Sequence, residues 1–209
     1  MNKNASALLA ESAQQPEWKS VPLRIPDRDA GRWESTHPIE QIRWTRDKNV
    51  RTSTHFVNVV KAIKWWKLEN HDDLPHPKGF PLERVIGECC PDGVSSVAEG
   101  ITRTFEEIVN RFALVIQANG KPTLQDYGVH THDVLARISV EDFKRFYSYA
   151  GIAATIARNA LDSTDRQESG TLWRKLLGNK FPEPPKGGDG GKGFRPPTAP
   201  ANPGQGRFA

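Results

Sequence analysis

The residues of this sequence best suited to chemistry are cations set at helical intervals. Lys61, Lys64 and Lys67 recur at i, i+3 and i+6, so on a helix they form one basic edge. Such an edge is either a solvated face or a phosphate clamp, with ammonium groups on a rigid helix turned toward a triphosphate. The segment His76-Pro77-Lys78-Gly79-Phe80-Pro81 adds a further cation, an aromatic ring, and a glycine that lets backbone approach a ligand closely. It precedes a helix, whose free N–H groups favour anions; the plainer reading is a proline-rich connector.

The carboxylates and imidazoles are less persuasive. Asp27-Arg28-Asp29 has the Asp-x-Asp spacing that holds magnesium in nucleotidyl transfer. That chemistry also needs the pair on a strand edge, a phosphate-holding Gly-Ser turn and a third carboxylate. The chain contains no Gly-Ser dipeptide, and Pro26 directly precedes the pair, so a loop or capping role is expected. His130-Thr131-His132-Asp133 invites a metal reading but has no third histidine or cysteine near it; loop hydrogen bonding is expected instead. Cys89 and Cys90 are the only cysteines. With no second pair there is no disulfide framework and no zinc site. They read as small apolar fillers, in keeping with a reducing, cytoplasmic setting.

Helices must position these groups. Pro38 starts one that runs to about Lys48, with proline in the first turn where its missing N–H costs nothing. Phe56, Val59, Val60, Ile63 and Trp66 mark the next, which carries the lysine edge and ends near Asn70. Leu82 to Ile86 begins a short one, stopped by Pro91 and Gly93. Ser96-x-x-Glu99 is a capping box before a helix burying Ile101, Phe105, Ile108 and Phe112, closed by Gly120. Ser139-x-x-Asp142 caps a helix whose inner face passes from Phe143 and Phe146 to Ala150, Ala154 and Ala157. Thr164-x-x-Gln167 caps the last, and Gly178 ends it. Trp65, Trp66 and Trp173 are expected in the core. Val21 to Arg32 reads as extended loop, and 121–138 as a structured loop with an extended piece from Val134 to Ile138. No strand pattern is convincing, so the fold class is mainly α.

Bulk properties bound the rest. The chain has 209 residues. Residues 1–20 form a polar lead, and 21–181 the helical body. The last 28 residues contain seven Pro and seven Gly, the composition of a flexible, disordered tail (182–209). Net charge is +4. Four cations against two acids place half of that in the tail, which argues against a dedicated nucleic-acid surface. No apolar run approaches the ~20 residues of a membrane span.

Several of these pieces occur in the order found in one family. Leu23-Arg24-Ile25-Pro26-Asp27-Arg28, Thr36-His37-Pro38, Val60-Lys61-Ala62-Ile63-Lys64-Trp65-Trp66-Lys67 and His76-Pro77-Lys78-Gly79-Phe80-Pro81-Leu82-Glu83 come first. Pro122-Thr123-Leu124-Gln125-Asp126-Tyr127-Gly128-Val129, Ala157 to Asp162 and Trp173-Arg174-Lys175-Leu176-Leu177-Gly178 complete the series. Over residues 21–182 the chain resembles the C-terminal half of a bacterial CD-NTase. This nucleotidyltransferase family is similar to cyclic GMP-AMP synthase and oligoadenylate synthase. Its members make cyclic oligonucleotide second messengers, often in antiphage operons (CBASS) that also encode an effector.

The resemblance implies the helical C-terminal lobe of a polymerase-β-like nucleotidyltransferase, closing one side of a nucleotide cleft. Lys64 is the implied phosphate contact, Lys61 and Lys78 follow, and Phe80 lines the base pocket; Asp126 orders the loop after it. The Gly-Ser turn and three metal-binding carboxylates belong to the family's N-terminal half and are expected to be missing here. No catalytic residue or metal ligand is therefore assigned. Mg2+ and nucleoside triphosphates are implied for the complete enzyme alone, and the chain is expected to be inactive by itself: a truncated product, or half of a split enzyme whose partner is a separate catalytic polypeptide. A non-catalytic module binding a nucleotide or a regulatory partner is the alternative, and a general nucleic-acid binder, betrayed by steep salt dependence, a weaker third. In some operons members end in a flexible arm joined to targets by ubiquitin-activating-like machinery, which makes Ala209 a candidate conjugation point.

Overall fold

A computed structural model describes residues 21–28 and 31–184; Asp29, the polar lead, most of the tail and Ala209 lie outside the described residues. Among the described residues there are two strands, β1 (Leu23–Asp27) and β2 (Arg32–Thr36). Six helices follow: α1 (Pro38–Arg51), α2 (Phe56–Asn70), α3 (Gly79–Cys89), α4 (Val97–Gln117), α5 (Val140–Asp162) and α6 (Arg166–Leu177). None of these helices is long and apolar enough to cross a membrane.

The expectation of a chain without strands is corrected at its start. Val21 to Arg32 is not loop throughout: β1 and β2 pair antiparallel, with Ile25 opposite Glu34 and Pro26 opposite Trp33. Proline hid the first strand, yet on a two-stranded ribbon Pro26 lacks only a donor that an edge position leaves unused. Successive side chains point to opposite faces, placing Leu23 and Ile25 on one and Trp33 on the other. All three are exposed, Trp33 by 61 %. Two contacts moor the ribbon to the 121–139 loop: the ion pair of Asp27 with Arg137, and the approach of His132 Nε2 to Glu34 at 3.7 Å.

The core lies between α2, α4 and α5. Phe56, Val59, Ile63 and Trp66 of α2 are buried against Ile101, Phe105, Ile108 and Phe112 of α4. Trp66 meets Phe105 edge-on at 4.8 Å, and Phe112 meets Phe143 of α5 at 5.4 Å, geometries favoured by the ring quadrupole. Where α5 turns to alanine the helices approach closely enough for Thr102 Oγ1 to reach the Ala157 carbonyl at 3.3 Å. Gly100 permits the α2–α4 contact, since a Cβ there would lie 2.5 Å from Val59 Cγ2.

Helix ends follow local chemistry, with four corrections. Ser96 and Ser139 accept from the N–H groups of Glu99 and Asp142 as the sequence predicts. The Glu99 carboxylate, however, accepts from the N–H and hydroxyl of Ser95, both at 2.7 Å. α6 is capped not by Thr164 but by Asp165, which accepts from Gln167 and Glu168; a carboxylate is the stronger acceptor at a helix start. α4 ends on left-handed Asn119 (φ +58°), not on Gly120, whereas Gly178 (φ +89°) ends α6 as expected. α3 begins three residues before Leu82, at Gly79. The Val134–Ile138 piece is turns, not extended chain; the one bridge in this loop joins Gln125 to Asp133.

Candidate functional site

The lysine edge of α2 faces α1 and α3 across an open groove of about 550 Å³. α2 contributes Val57, Val60, Lys61 and Lys64, α1 contributes Ile42 and Trp44, and α3 contributes Phe80, Glu83 and Arg84. Three of the four residues singled out for nucleotide contact, Lys61, Lys64 and Phe80, thus line one depression. The fourth, Lys78, lines an adjoining recess of about 310 Å³ that shares Lys64 and also contains Lys67.

The lysines of the edge do different work. Lys61 forms no ion pair among the described residues. Lys64 Nζ lies 2.6 Å from Glu83 Oε1, joining α2 to α3 across the groove. Lys67 is turned away to the connector, donating to the Pro77 carbonyl at 2.8 Å and more weakly toward Pro75 at 3.5 Å. Burial, with the nearby Lys78 charge adding to it, lowers the Lys67 pKa, because both disfavour the ammonium form. The basic edge is therefore neither wholly solvated face nor wholly clamp: two lysines face the groove and one turns to the connector beside the adjoining recess.

The floor is a stack that sequence reasoning missed. Tyr127 lies between two planar groups, with Trp44 stacked at 3.8 Å and the Arg84 guanidinium 3.6 Å from its ring centroid. Arg84 is only 7 % exposed; it donates to the Gln125 carbonyl at 2.8 Å and to Glu88 at 2.9 Å. Glu88 also accepts from Arg111 of α4, and these two arginines outweigh its desolvation and hold its pKa down. Trp44 can seat on α3 because residue 87 is glycine: a Cβ there would come within 2.5 Å of its ring. Burial pushes the Tyr127 hydroxyl pKa far up, so the phenol stays neutral. Tyr127 was legible only as part of a motif, and the Trp44–Gly87 fit has no local sequence signal.

The loop behind Tyr127 is stapled by its own carboxylates. Asp126 Oδ1 accepts from Gly128 N–H at 2.8 Å, and Gln41 Nε2 stands 3.4 Å from both its oxygens. Asp133 Oδ1 accepts from the N–H groups of Leu124 and Leu135. The His130–Asp133 segment thus does loop work. Among the described residues no group of three or more His, Cys, Asp or Glu is placed to hold a metal ion, and Asp27 is engaged by Arg137. These residues do not fit a magnesium centre. Cys89 and Cys90 are buried fillers whose thiol pKa values burial raises.

Two tryptophan expectations need revision. Trp66 is core, but Trp65 is 38 % exposed and Trp173 only partly buried. Trp65 donates through Nε1 to the Leu177 carbonyl at 2.9 Å, fastening α2 to the end of α6. The groove itself is strongly apolar between its cations: Ile42 is 55 % exposed, and Val57 and Phe80 also meet solvent. A cavity with apolar walls and a few convergent cations is suited to a ligand with a flat hydrophobic part and an anionic part.

No family model matches the chain. It is 50 % identical over 202 residues to a probable cyclic AMP-AMP-GMP nucleotide synthase of Salmonella paratyphi B, covering 95 % of this chain and 53 % of that protein. It is 48 % identical, with the same coverage, to a cyclic AMP-AMP-GMP synthase of Enterobacter hormaechei. A cyclic AMP-AMP-AMP synthase of an Acinetobacter strain is 34 % identical, with 76 % of this chain and 46 % of that one covered. The chain therefore spans about half the length of these relatives. Among solved structures it is similar to CdnC of E. coli MS115-1, in complex with HORMA-deltaN (TM-score 0.63) and with ATP (0.62). Each is 18 % identical and covers 81 % of this chain and 56 % or 57 % of the other. At that identity the likeness shows the fold.

Proposed function

We propose that this chain is the helical lobe of a bacterial cyclic-oligonucleotide synthase of the CD-NTase kind, and that the groove between α1, α2 and α3 is its side of a nucleotide cleft. The observation that carries the reading is the convergence of Lys61, Lys64 and Phe80 on one apolar-walled groove, in a chain 48 % identical over 202 residues to about half of a cyclic AMP-AMP-GMP synthase. The lysines meet phosphate oxygens, and Phe80 with the apolar wall meets a base. The relatives' names support adenine and guanine nucleotides as the substrates, and the resemblance to the CD-NTase family supports antiphage signalling as the setting. Nucleotidyl transfer requires carboxylates grouped around magnesium, which the described residues do not supply. We propose that other polypeptide supplies them and that the 209 residues alone make no product.

The test has two arms. Calorimetry should detect ATP binding to the purified chain, weakened about tenfold or more by Lys64→Gln, since a charge-assisted hydrogen bond contributes about 1.5–3 kcal/mol. Incubation with ATP, GTP and magnesium should yield no cyclic product. Indifference of ATP binding to Lys64→Gln would remove the groove from the site. Robust synthesis by the chain alone would refute the proposed division of labour.

A further inference from the structure

Among the described residues Glu83 is the one acid lining the groove, and its only work in the fold is the part-exposed pair with Lys64. Its neighbour on α3, Glu88, accepts from two arginines and ties α3 to α4. The Lys48–Asp92 pair buries its lysine almost completely and adds Arg51. Glu83 instead makes one contact, Oε1 to Lys64 Nζ, with both side chains part-exposed at the groove wall. Its other oxygen accepts no hydrogen bond from the described residues. Exposed pairs of this sort contribute little to stability.

Resting on the nucleotide reading above, we infer that Glu83 is a tethered counter-ion: it occupies the anion position on Lys64 in the free protein, and an incoming polyphosphate must displace it. Charge sets up the competition. Lys64 Nζ has three donors and Glu83 Oε1 takes one of them at 2.6 Å, so a phosphate oxygen bound to either of the others comes to lie beside the carboxylate. Should the carboxylate stay beside it, two like charges would share one ammonium in a groove of apolar walls, where such repulsion is poorly screened. A triphosphate outcompetes a single carboxylate because it brings several charges and also reaches Lys61, one turn away, which has no ion pair among the described residues. A nucleoside or a lone small anion gains too little to open the pair. Glu83 thereby makes the groove discriminate by phosphate number, while Phe80, one turn before it on α3, remains available to a base.

The experiment titrates inorganic tripolyphosphate, ATP and adenosine into the full chain as wild type, Glu83→Gln, Lys64→Gln and the double variant. Glutamine keeps the shape and removes the charge, and thermal melts confirm that each variant folds. Glu83→Gln is expected to bind tripolyphosphate and ATP roughly two- to fivefold tighter, the factor matching loss of an exposed ion pair. Adenosine should be unaffected, and the gain should vanish in the Lys64→Gln background. Unchanged or weaker anion binding by Glu83→Gln overturns the inference, because the acid would then be neutral or orienting. So does a gain that persists without Lys64, or a failure of both anions to bind wild type and Glu83→Gln alike. If tripolyphosphate shows the expected pattern while ATP binds no better than tripolyphosphate, the counter-ion stands and the nucleotide reading falls. If ATP binding depends on Lys64 but not on Glu83, the reverse holds.

Discussion

Removing the Arg84 guanidinium is the sharpest test of how the groove is built. Arg84→Met keeps the length and apolar volume of the side chain but deletes its planar cation. In the wild type that cation donates to the Gln125 carbonyl and to Glu88, and lies over Tyr127 at 3.6 Å. The site is 7 % exposed, so water replaces these partners poorly. The hydrogen bond from a charged donor to Gln125 contributes about 1.5 kcal/mol or more, and the cation–π contact about 1–2 kcal/mol. Glu88 retains Arg111, so the ion-pair loss is partial. Because the contacts share one group they do not add fully, and about 2–3 kcal/mol of destabilisation is expected. For a body of this size that lowers the melting temperature by roughly 4–12 °C. Chemical denaturation with a common m-value measures the loss directly. Arg84→Lys should recover only part of it, since an ammonium neither forks nor stacks. Tyr127 should also lose its ordered environment, read as a weakened near-ultraviolet circular dichroism signal. A loss under 1 kcal/mol with that signal intact would refute the account of Arg84 as the fastening between α3 and the 125–128 loop.

Further outcomes follow from other contacts. Gly128→Ala would put a methyl 2.7 Å from His37 Cβ and 2.8 Å from its carbonyl oxygen; because backbone cannot rotate aside, about 1–3 kcal/mol of destabilisation is expected, measurable by the same denaturation. The Glu99 carboxyl, held down to about 2 chiefly by the Ser95 hydroxyl and then its N–H, should titrate near that pH by NMR. Its depressed pKa means that the cap's stabilisation is full above the unfolded-state value of about 4.5 and disappears as pH falls toward 2; a midpoint near 4.5 would contradict the cap geometry. Neither Cys89 nor Cys90, buried with raised thiol pKa values, should react with a thiol reagent at pH 8 until the chain is unfolded.

The helices were legible because each carries its own signal. Ser96 and Ser139 announce their starts, and the apolar spacing of Phe56, Val59, Ile63 and Trp66 names the buried face of α2 before any partner is known. The ribbon was not legible: Pro26 speaks against a strand, and only pairing with β2 satisfies the backbone around it. The groove shows the same division. Lys61 and Lys64 could be placed on one edge from spacing alone, but nothing local says that Lys67 turns to a carbonyl. The stack of Trp44, Tyr127 and Arg84 joins residues far apart in sequence, and Gly87 looks like any helix glycine until an indole is found against it. Glu83 was passed over because a carboxylate beside a lysine edge reads as ordinary surface charge.

The fastening of α2 has a mechanical corollary. One flank is tied to the connector through Lys67, and the other to the end of α6 through Trp65 and through Asn70 Nδ2, which donates to the Leu176 carbonyl. Seized on both sides, this helix is an anvil: a force that closes on the groove meets a surface with little give. For the nucleotide proposed above, that would mean lysines whose helix is already fixed before the ligand arrives.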